Sequence, residues 1–369
     1  TNVVVATLPG KATLFAGPVA IIKVGAGSAA DAFKLDKADM GFIRYNMRYD
    51  AATGTYSLGT QVGSSAYRLA KLNEAAQAIW DKSAQSWSTH MAELRDADGG
   101  GRRLWGQIFG GVVDRDSAID GAPLDYRQDF FGAQVGYDLG GAESEDSSTI
   151  FGVTGGYLSS KQHFAGGNER ADFDALNLAG YASYRGKHVF ANLLGQYSHY
   201  WIAARGGIGD ERWSDKVGGD AYGVQGEVGV RLGSEKIFIE PVATLAWQTS
   251  SIDAIEAFSH RIDFDNNSAV TGKIGARFGA ALGREGGTQA VLYARGNYFH
   301  AFSGKAGLLF SSGDVSQSIV TPRTGDYGEV AVGLNILSKG PVSGFIEGDA
   351  TIGSGAKGGG GRVGVRFEF

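Results

Sequence analysis

Several stretches of this chain carry residue types that could do chemistry, and each lacks the companions that chemistry needs. Ser354-Gly355-Ala356-Lys357 has the spacing of a serine nucleophile with a lysine base, yet it lies in a Gly-rich stretch without a companion K-T-G. Asp263-Phe264-Asp265-Asn266-Asn267 begins like a calcium loop but has neither the turn Gly nor the closing Glu. Residues 19–24 followed by Gly25-Ala26-Gly27-Ser28-Ala29-Ala30 imitate a strand with a phosphate-binding turn. The chain then returns to strand after 31–40 instead of opening the helix that a dinucleotide site requires. His90, His163, His188, His199, His260 and His300 show no metal-ligand spacing. The absence of cysteine excludes a thiol nucleophile, a Cys-ligated zinc and a disulfide scaffold. No catalytic residue, cofactor or metal site is expected, and the chain does not read as an enzyme.

What remains is ion pairing, which depends on the elements that bring charges together. Residues 67–96 contain no Gly or Pro and many Ala, Lys, Glu and Gln. Leu69, Leu72, Ala76, Ile79, Trp80, Ser83, Trp87, Met91 and Leu94 fall near a three-to-four repeat, so this segment predicts one amphipathic helix, stopped by Gly99-Gly100-Gly101. Its polar surface carries Arg68, Lys71, Lys82 and Arg95. Downstream, Glu227, Arg231, Glu240, Lys273, Arg277, Glu329 and Glu347 occupy the polar positions of alternating segments. Ile274, Phe278 and Leu282 alternate with Lys273 and Arg277, and Val330, Val332, Leu334 and Ile336 with Glu329 and Asn335. Apolar residues at period two on one face and charges on the other are the pattern of a transmembrane strand, apolar toward lipid and polar toward a lumen. Counter-charges across a narrow wet lumen could hold a helix in one register, with Glu227, Glu240, Arg277, Glu329 and Glu347 as the wall partners.

Twelve such segments can be counted, near 104–114, 126–140, 148–160, 171–185, 187–202, 221–233, 235–250, 268–284, 288–302, 325–338, 342–352 and 359–369. Most exceed the roughly 9–11 residues of a tilted membrane strand. Short junctions such as Arg185-Gly186-Lys187 and Arg284-Glu285-Gly286-Gly287 alternate with longer ones, near 203–220, 251–267 and 303–324. Short turns on one side and long loops on the other fit a barrel built from the short-turn side. Trp105, Tyr137, Tyr157, Tyr197, Trp201, Trp247 and Tyr293 are candidates for interfacial girdles, about half of them being expected there and the others in the lumen. No stretch approaches the roughly 20 apolar residues of a spanning helix. The 59 glycines among 369 residues suit β-structure rich in tight turns, and the mixed charges, net −5, give no basic field for nucleic acid. The opening Thr1-Asn2-Val3-Val4-Val5 has no basic segment or apolar core, so the chain is expected to be a mature portion of a longer one.

A β-rich segment over 1–66, a helix over 67–101 and a barrel over 102–369 ending in Phe367-Glu368-Phe369 together resemble the translocator end of a type Va autotransporter. Trp105-Gly106-Gln107-Ile108-Phe109-Gly110-Gly111 resembles that family's first barrel strand. The segment from Gly41-Phe42-Ile43-Arg44-Tyr45 to Gly54-Thr55-Tyr56-Ser57-Leu58 resembles the last rungs of its passenger β-helix. The resemblance implies an all-β fold: a twelve-stranded antiparallel transmembrane β-barrel with one α-helix in the lumen, preceded by a short β-helix-like passenger remnant. It implies insertion in the outer membrane of a Gram-negative bacterium and export and surface anchoring of the chain's own N-terminal passenger. Implied partners are that passenger, the barrel-assembly machinery, periplasmic chaperones, outer-membrane lipid and lipopolysaccharide. The assembly signal would be the last strand, with Val363, Val365, Phe367 and Phe369. The N-terminal segment would lie at the cell surface and template passenger folding, with Ile21, Ile22, Phe42 and Ile43 as candidates for its apolar stack. A plugged porin-like channel and a barrel-embedded hydrolase are the alternatives.

Overall fold

The structure, a computed structural model, describes residues 1–4, 12–25, 28–97, 101–119, 122–208, 210–283, 288–304, 306–321, 323, 325–338 and 340–369. Ala26–Gly27, Gly99–Gly100 and the turn 284–287, named above as turn or stop signals, lie outside these residues. In the N-terminal segment, β1 (Val19–Lys23), β2 (Asp39–Met40), β3 (Ile43–Asp50) and β4 (Thr55–Val62) form an antiparallel sheet in the order β1-β4-β3-β2. A solenoid rung would stack in parallel, and among the described residues here only Asn2–Val3 pairs in parallel, with Lys34–Leu35. The cause is local. Asp50 accepts the Ala52 N–H at 2.9 Å, and Gly54 takes φ 63°, closing a tight β3–β4 hairpin that forces antiparallel pairing.

The helix begins three residues before the expected start, as α1 (Ser64–Leu69), turns at Ala70–Lys71 and continues as α2 (Leu72–Asp96). At about 1.5 Å per residue α2 is long enough to run the depth of a bilayer. Although its sequence is amphipathic, almost every side chain is buried, because a wall surrounds it on all sides. Among the described residues no helix is long and apolar enough to cross a membrane itself.

The wall is a closed sheet of twelve antiparallel strands: β5 (Arg103–Arg115), β6 (Tyr126–Gly140), β7 (Ser147–Phe164), β8 (Arg170–Gly186), β9 (Val189–Ile208), β10 (Glu211–Val230), β11 (Ile237–Ile252), β14 (Asn267–Gly283), β15 (Gln289–Ser303), β18 (Tyr327–Leu337), β19 (Val342–Ile352) and β20 (Ala356–Glu368). Ladders between β20 and β5 and between β6 and β7 close it, so the barrel has no free edge. The strands alternate as expected: Ile274 and Phe278 are 64% and 57% exposed on the outside, while Arg277 between them is 3% exposed inside.

All three of the expected long loops contain strands instead. Residues 203–220 continue β9 and β10 to a hairpin whose last register pair is Ile208 with Glu211. The junctions near 251–267 and 303–324 contain β12 (Ile255–Ala257), β13 (His260–Phe264), β16 (Ala306–Ser312) and β17 (Val315–Thr321), which form a four-stranded sheet in that order. Beyond the bilayer neither face meets lipid, so these strands lose the apolar alternation that makes a membrane strand readable.

Six register pairs between neighbouring strands share one device at the short-turn end. Gly279 of β14 lies opposite Phe238 of β11, and a Cβ on this glycine would overlap the Phe238 ring. The same holds for Gly136 with Trp105, Gly152 with Tyr181, Gly229 with Phe190, Gly333 with Tyr293 and Gly364 with Phe345. These six pairs use all twelve strands, one ring and one glycine bed per pair. All six rings are buried on the lumen side. Of the girdle candidates, Trp105 and Tyr293 therefore belong to the lumen, whereas Tyr157, Tyr197, Trp201 and Trp247 are exposed on the outside.

Candidate functional site: the helix-filled lumen

The lumen is where the chain gathers its charged residues, and α2 meets them in three tiers. At the long-loop end Arg68 pairs with Glu169, in the β7–β8 turn, at 3.0 Å and donates to the Gly166 carbonyl, and Ser65 donates to the same carboxylate. Lys71 pairs within the helix with Glu74 at 2.9 Å, and Glu74 also reaches Arg115 of β5 at 3.6 Å. In the middle, Lys82 donates to Gln85 at 3.3 Å and Gln85 donates to both oxygens of Glu329 at 2.6 Å. Glu329 also pairs with Arg295 at 3.2 Å, which bridges to Glu347 at 3.0 Å, and Glu347 meets Arg362 at 3.2 Å. On the other side of α2, His90 stacks on Trp105 and lies 3.3 Å from Asp138, which accepts the Tyr181 hydroxyl. A polar cavity beside the helix is lined by Asp81, Lys82, Lys273, Arg323 and Glu329.

At the short-turn end Arg95 meets Glu240 at 3.3 Å and Glu227 at 3.7 Å. Asp96, the last helical residue, accepts from Arg277 at 2.9 Å and from Arg231 at 3.2 Å, and Arg277 and Arg231 also reach Glu240. The Asp96 and Glu240 side chains are fully buried. Such a cluster of opposed charges is held only if each member keeps its partners, because removing one strands another.

Of the four cations named on the helix, the structure brings Arg95 directly to the named carboxylates Glu227 and Glu240, and Lys82 to Glu329 only through Gln85. Arg68 instead finds a turn outside the wall, and Lys71 its own helix neighbour. Asp96, Glu169 and the His90–Asp138 contact were missed. Counting helix cations alone hid Asp96, although an acid in the last turn, where the helix dipole disfavours it, signals a cationic partner elsewhere. The C-terminal residues Val363, Val365, Phe367 and Phe369 are all exposed, while Arg362 and Arg366, at alternate positions, are buried.

Outside the long-loop end a second site holds the N-terminal sheet. Phe42, fully buried, lies over Phe310 with ring centroids 6.0 Å apart, and also meets His260, Phe258 and Trp213. The Leu14 N–H donates to Ser312 at 2.9 Å. Burial pushes the His260 imidazole down to about 4, from 6.5, so it is neutral in this apolar socket. Phe42 and Ile43 thus pack toward the barrel while Ile21 is 39% exposed, so the four residues expected to form one stack do not share one.

Residues 104–349 match the family model described as the autotransporter β-domain. The chain belongs to that family. Among curated relatives, the BrkA autotransporter of Bordetella pertussis is 25% identical over 311 residues, which is 81% of this chain and 29% of that protein. The chain thus spans under a third of that relative's length. The solved β-domain of the Bordetella autotransporter BrkA superposes with a TM-score of 0.58 at 20% identity, covering 73% of this chain and all of that one. The translocator domain of NalP from Neisseria meningitidis gives 0.63 at 15% identity, over 81% and 99% of the two chains. Both share its fold. As an autotransporter β-domain the chain is a transport module of the outer membrane of a Gram-negative bacterium. Its long-loop end faces the cell surface and its short-turn end the periplasm.

Proposed function

We propose that the barrel serves as the exit route and anchor of the polypeptide joined to its N-terminus, in the manner of type V secretion. The observation that carries this is the path of the chain: β1 to β4 lie at the outer end, α1 and α2 run the length of the lumen, and β5 begins at the periplasmic end. The N-terminal segment reaches its position only through the wall that the same chain builds. Residues 1–66 act as the end of the passenger, 67–101 as the linker and 102–369 as the translocator. Val363, Val365, Phe367 and Phe369, an exposed apolar row at the C-terminus, where the last strand closes the barrel, are the residues offered to the barrel-assembly machinery after periplasmic chaperones have delivered the chain. β1 ends the N-terminal sheet as an edge strand, with Val19 and Ile21 exposed, and gives arriving passenger residues a ladder to extend. The tier of buried charges around Arg95 and Asp96 keeps the helix in place afterward, and the module makes or breaks no bond in this role.

An epitope tag placed before Thr1, behind a secretory signal, tests the reading. On intact cells the tag should be removed by added protease while the barrel stays whole. A tag that is protected until the outer membrane is breached, in a correctly inserted barrel, would overturn it in favour of a plugged channel.

A further inference from the structure

Six aromatic rings line the periplasmic mouth of the lumen, each pinned flat on a glycine of the neighbouring strand. Wall aromatics at this depth usually anchor a barrel in the lipid headgroups, but these face inward and cannot. Three of them, Phe190, Trp105 and Tyr181, meet the lumen's occupant, while Arg277 of the wall lies 4.3 Å over Tyr293. The guanidinium of Arg95, on the helix, lies 3.7 Å over the Phe190 ring. His90 of the helix stacks on Trp105, with centroids 4.1 Å apart, and Trp87 of the helix leans on Tyr181. On the wall itself, Arg231 covers the Phe238 face at 3.6 Å.

From this geometry we infer that the collar is a sliding grip for the exported chain: before the helix arrives, the same ring faces hold the extended polypeptide that passes through, and the helix is its last occupant. The inference rests on the proposed export role and names the surface that touches the cargo. The chemistry suits a moving, unfolded chain. Ring faces attract aliphatic side chains, other rings and cations alike, with little directional demand, so each passing residue finds a weak contact and none becomes a trap. The glycine beds leave the rings no room to retreat into the wall, which keeps the aperture constant as residues of different size go by. At the long-loop mouth the described residues form no such ring of pairs, although Gly206 lies under Trp213 in the same way. The aromatic cluster there is closed around Phe42 and holds one folded segment.

The test uses the full chain with a tagged, disulfide-closed domain fused before Thr1, which stalls export, and a photo-crosslinking phenylalanine at Phe190 or Trp105. Gln128, which reaches the helix near the outer end, serves as a comparison position. In the stalled state the collar positions should capture passenger residues, and after reduction and completed export they should capture the helix. Capture of the passenger at Gln128 but only of the helix at the collar positions would overturn the grip. A reduced fusion whose tag never reaches the surface would instead count against export itself. As a second arm, leucine at Phe190 and Trp105 keeps an apolar side chain while removing the ring faces that the helix touches. Surface appearance of the tag should slow by roughly 2- to 10-fold, the factor expected for about one lost aromatic contact, at an unchanged yield of heat-modifiable barrel. An unchanged rate with equal barrel yield would overturn the proposal.

Discussion

The two mouths of the lumen hold the same chain by different physics. At the periplasmic mouth the helix end is caught by buried charges, Arg95 and Asp96 against Glu227, Arg231, Glu240 and Arg277, set within rings that lie on glycine. At the outer mouth the N-terminal sheet is held by an apolar socket, Phe42 among Trp213, Phe258, His260 and Phe310, with Arg68–Glu169 as the ion pair at the same end. A charge cluster fails abruptly when one member goes, because its partners are left unpaired in a dry site. An apolar socket weakens in proportion to the surface lost and is indifferent to the rest of the helix. The difference suggests that the inner contacts fix where the helix stops and the outer ones fix where the exported segment rests.

The sharpest way to break this contrast is Arg277→Ala, which leaves Asp96 with only Arg231 and Asn335 and Glu240 with only Arg95 and Arg231. It should cost up to about 3–5 kcal/mol, read as a drop in the urea midpoint of the folded barrel on unheated gels; a loss under about 1 kcal/mol would mean that the remaining partners already hold the cluster. Phe42→Ala should cost up to about 3–5 kcal/mol of docking, seen as faster proteolysis of 1–63 while the barrel's urea midpoint stays put. If barrel and segment weaken together, the two mouths are not separate devices. Gly279→Ala drives a methyl into the Phe238 ring and should cost about 1–3 kcal/mol. Gly226→Ala, where a Cβ meets nothing within 4 Å, should stay within about 0.5 kcal/mol.

The smallest effect is a pH dependence confined to the outer mouth. His260 has a folded pKa near 4 against 6.5 unperturbed, so between those values the undocked state binds more protons and acid favours release. The rings around it are neutral. Protease resistance of the N-terminal segment should be flat above pH 7 and fall as pH drops from about 6.5 toward 4, and His260→Gln should remove that slope.

Much of the barrel could be read from period-two patterning alone. Ile274, Phe278, Val330 and Val332 had to face lipid because a one-residue slip would put Lys273, Arg277 and Glu329 there instead. The helix was equally plain from its lack of Gly and Pro and its repeat. The hidden parts lie where no strong solvent contrast acts. The hairpin beyond 203, the sheet β12-β13-β16-β17 and the antiparallel N-terminal sheet all stand in water on the outer side, where alternation carries little information. Which aromatics, such as Trp105 and Tyr293, would fall in the lumen stayed open for a related reason: an aromatic can serve lipid interface or lumen, and its strand parity decides only once the register is known.

Sequence by itself determined which strand faces belong to lipid and which to the lumen, and that one amphipathic helix could share a polar lumen, because each choice follows from transferring a side chain between water, protein and lipid. Only the tertiary structure decided which charges meet. The stagger of twelve strands and the rotation of α2 bring Arg95 to Glu240 and Asp96 to Arg277, and leave Arg68 to a turn beyond the wall. Pairing depends on distances between residues far apart in sequence, and those are set by closure of the sheet around the helix rather than by any local preference.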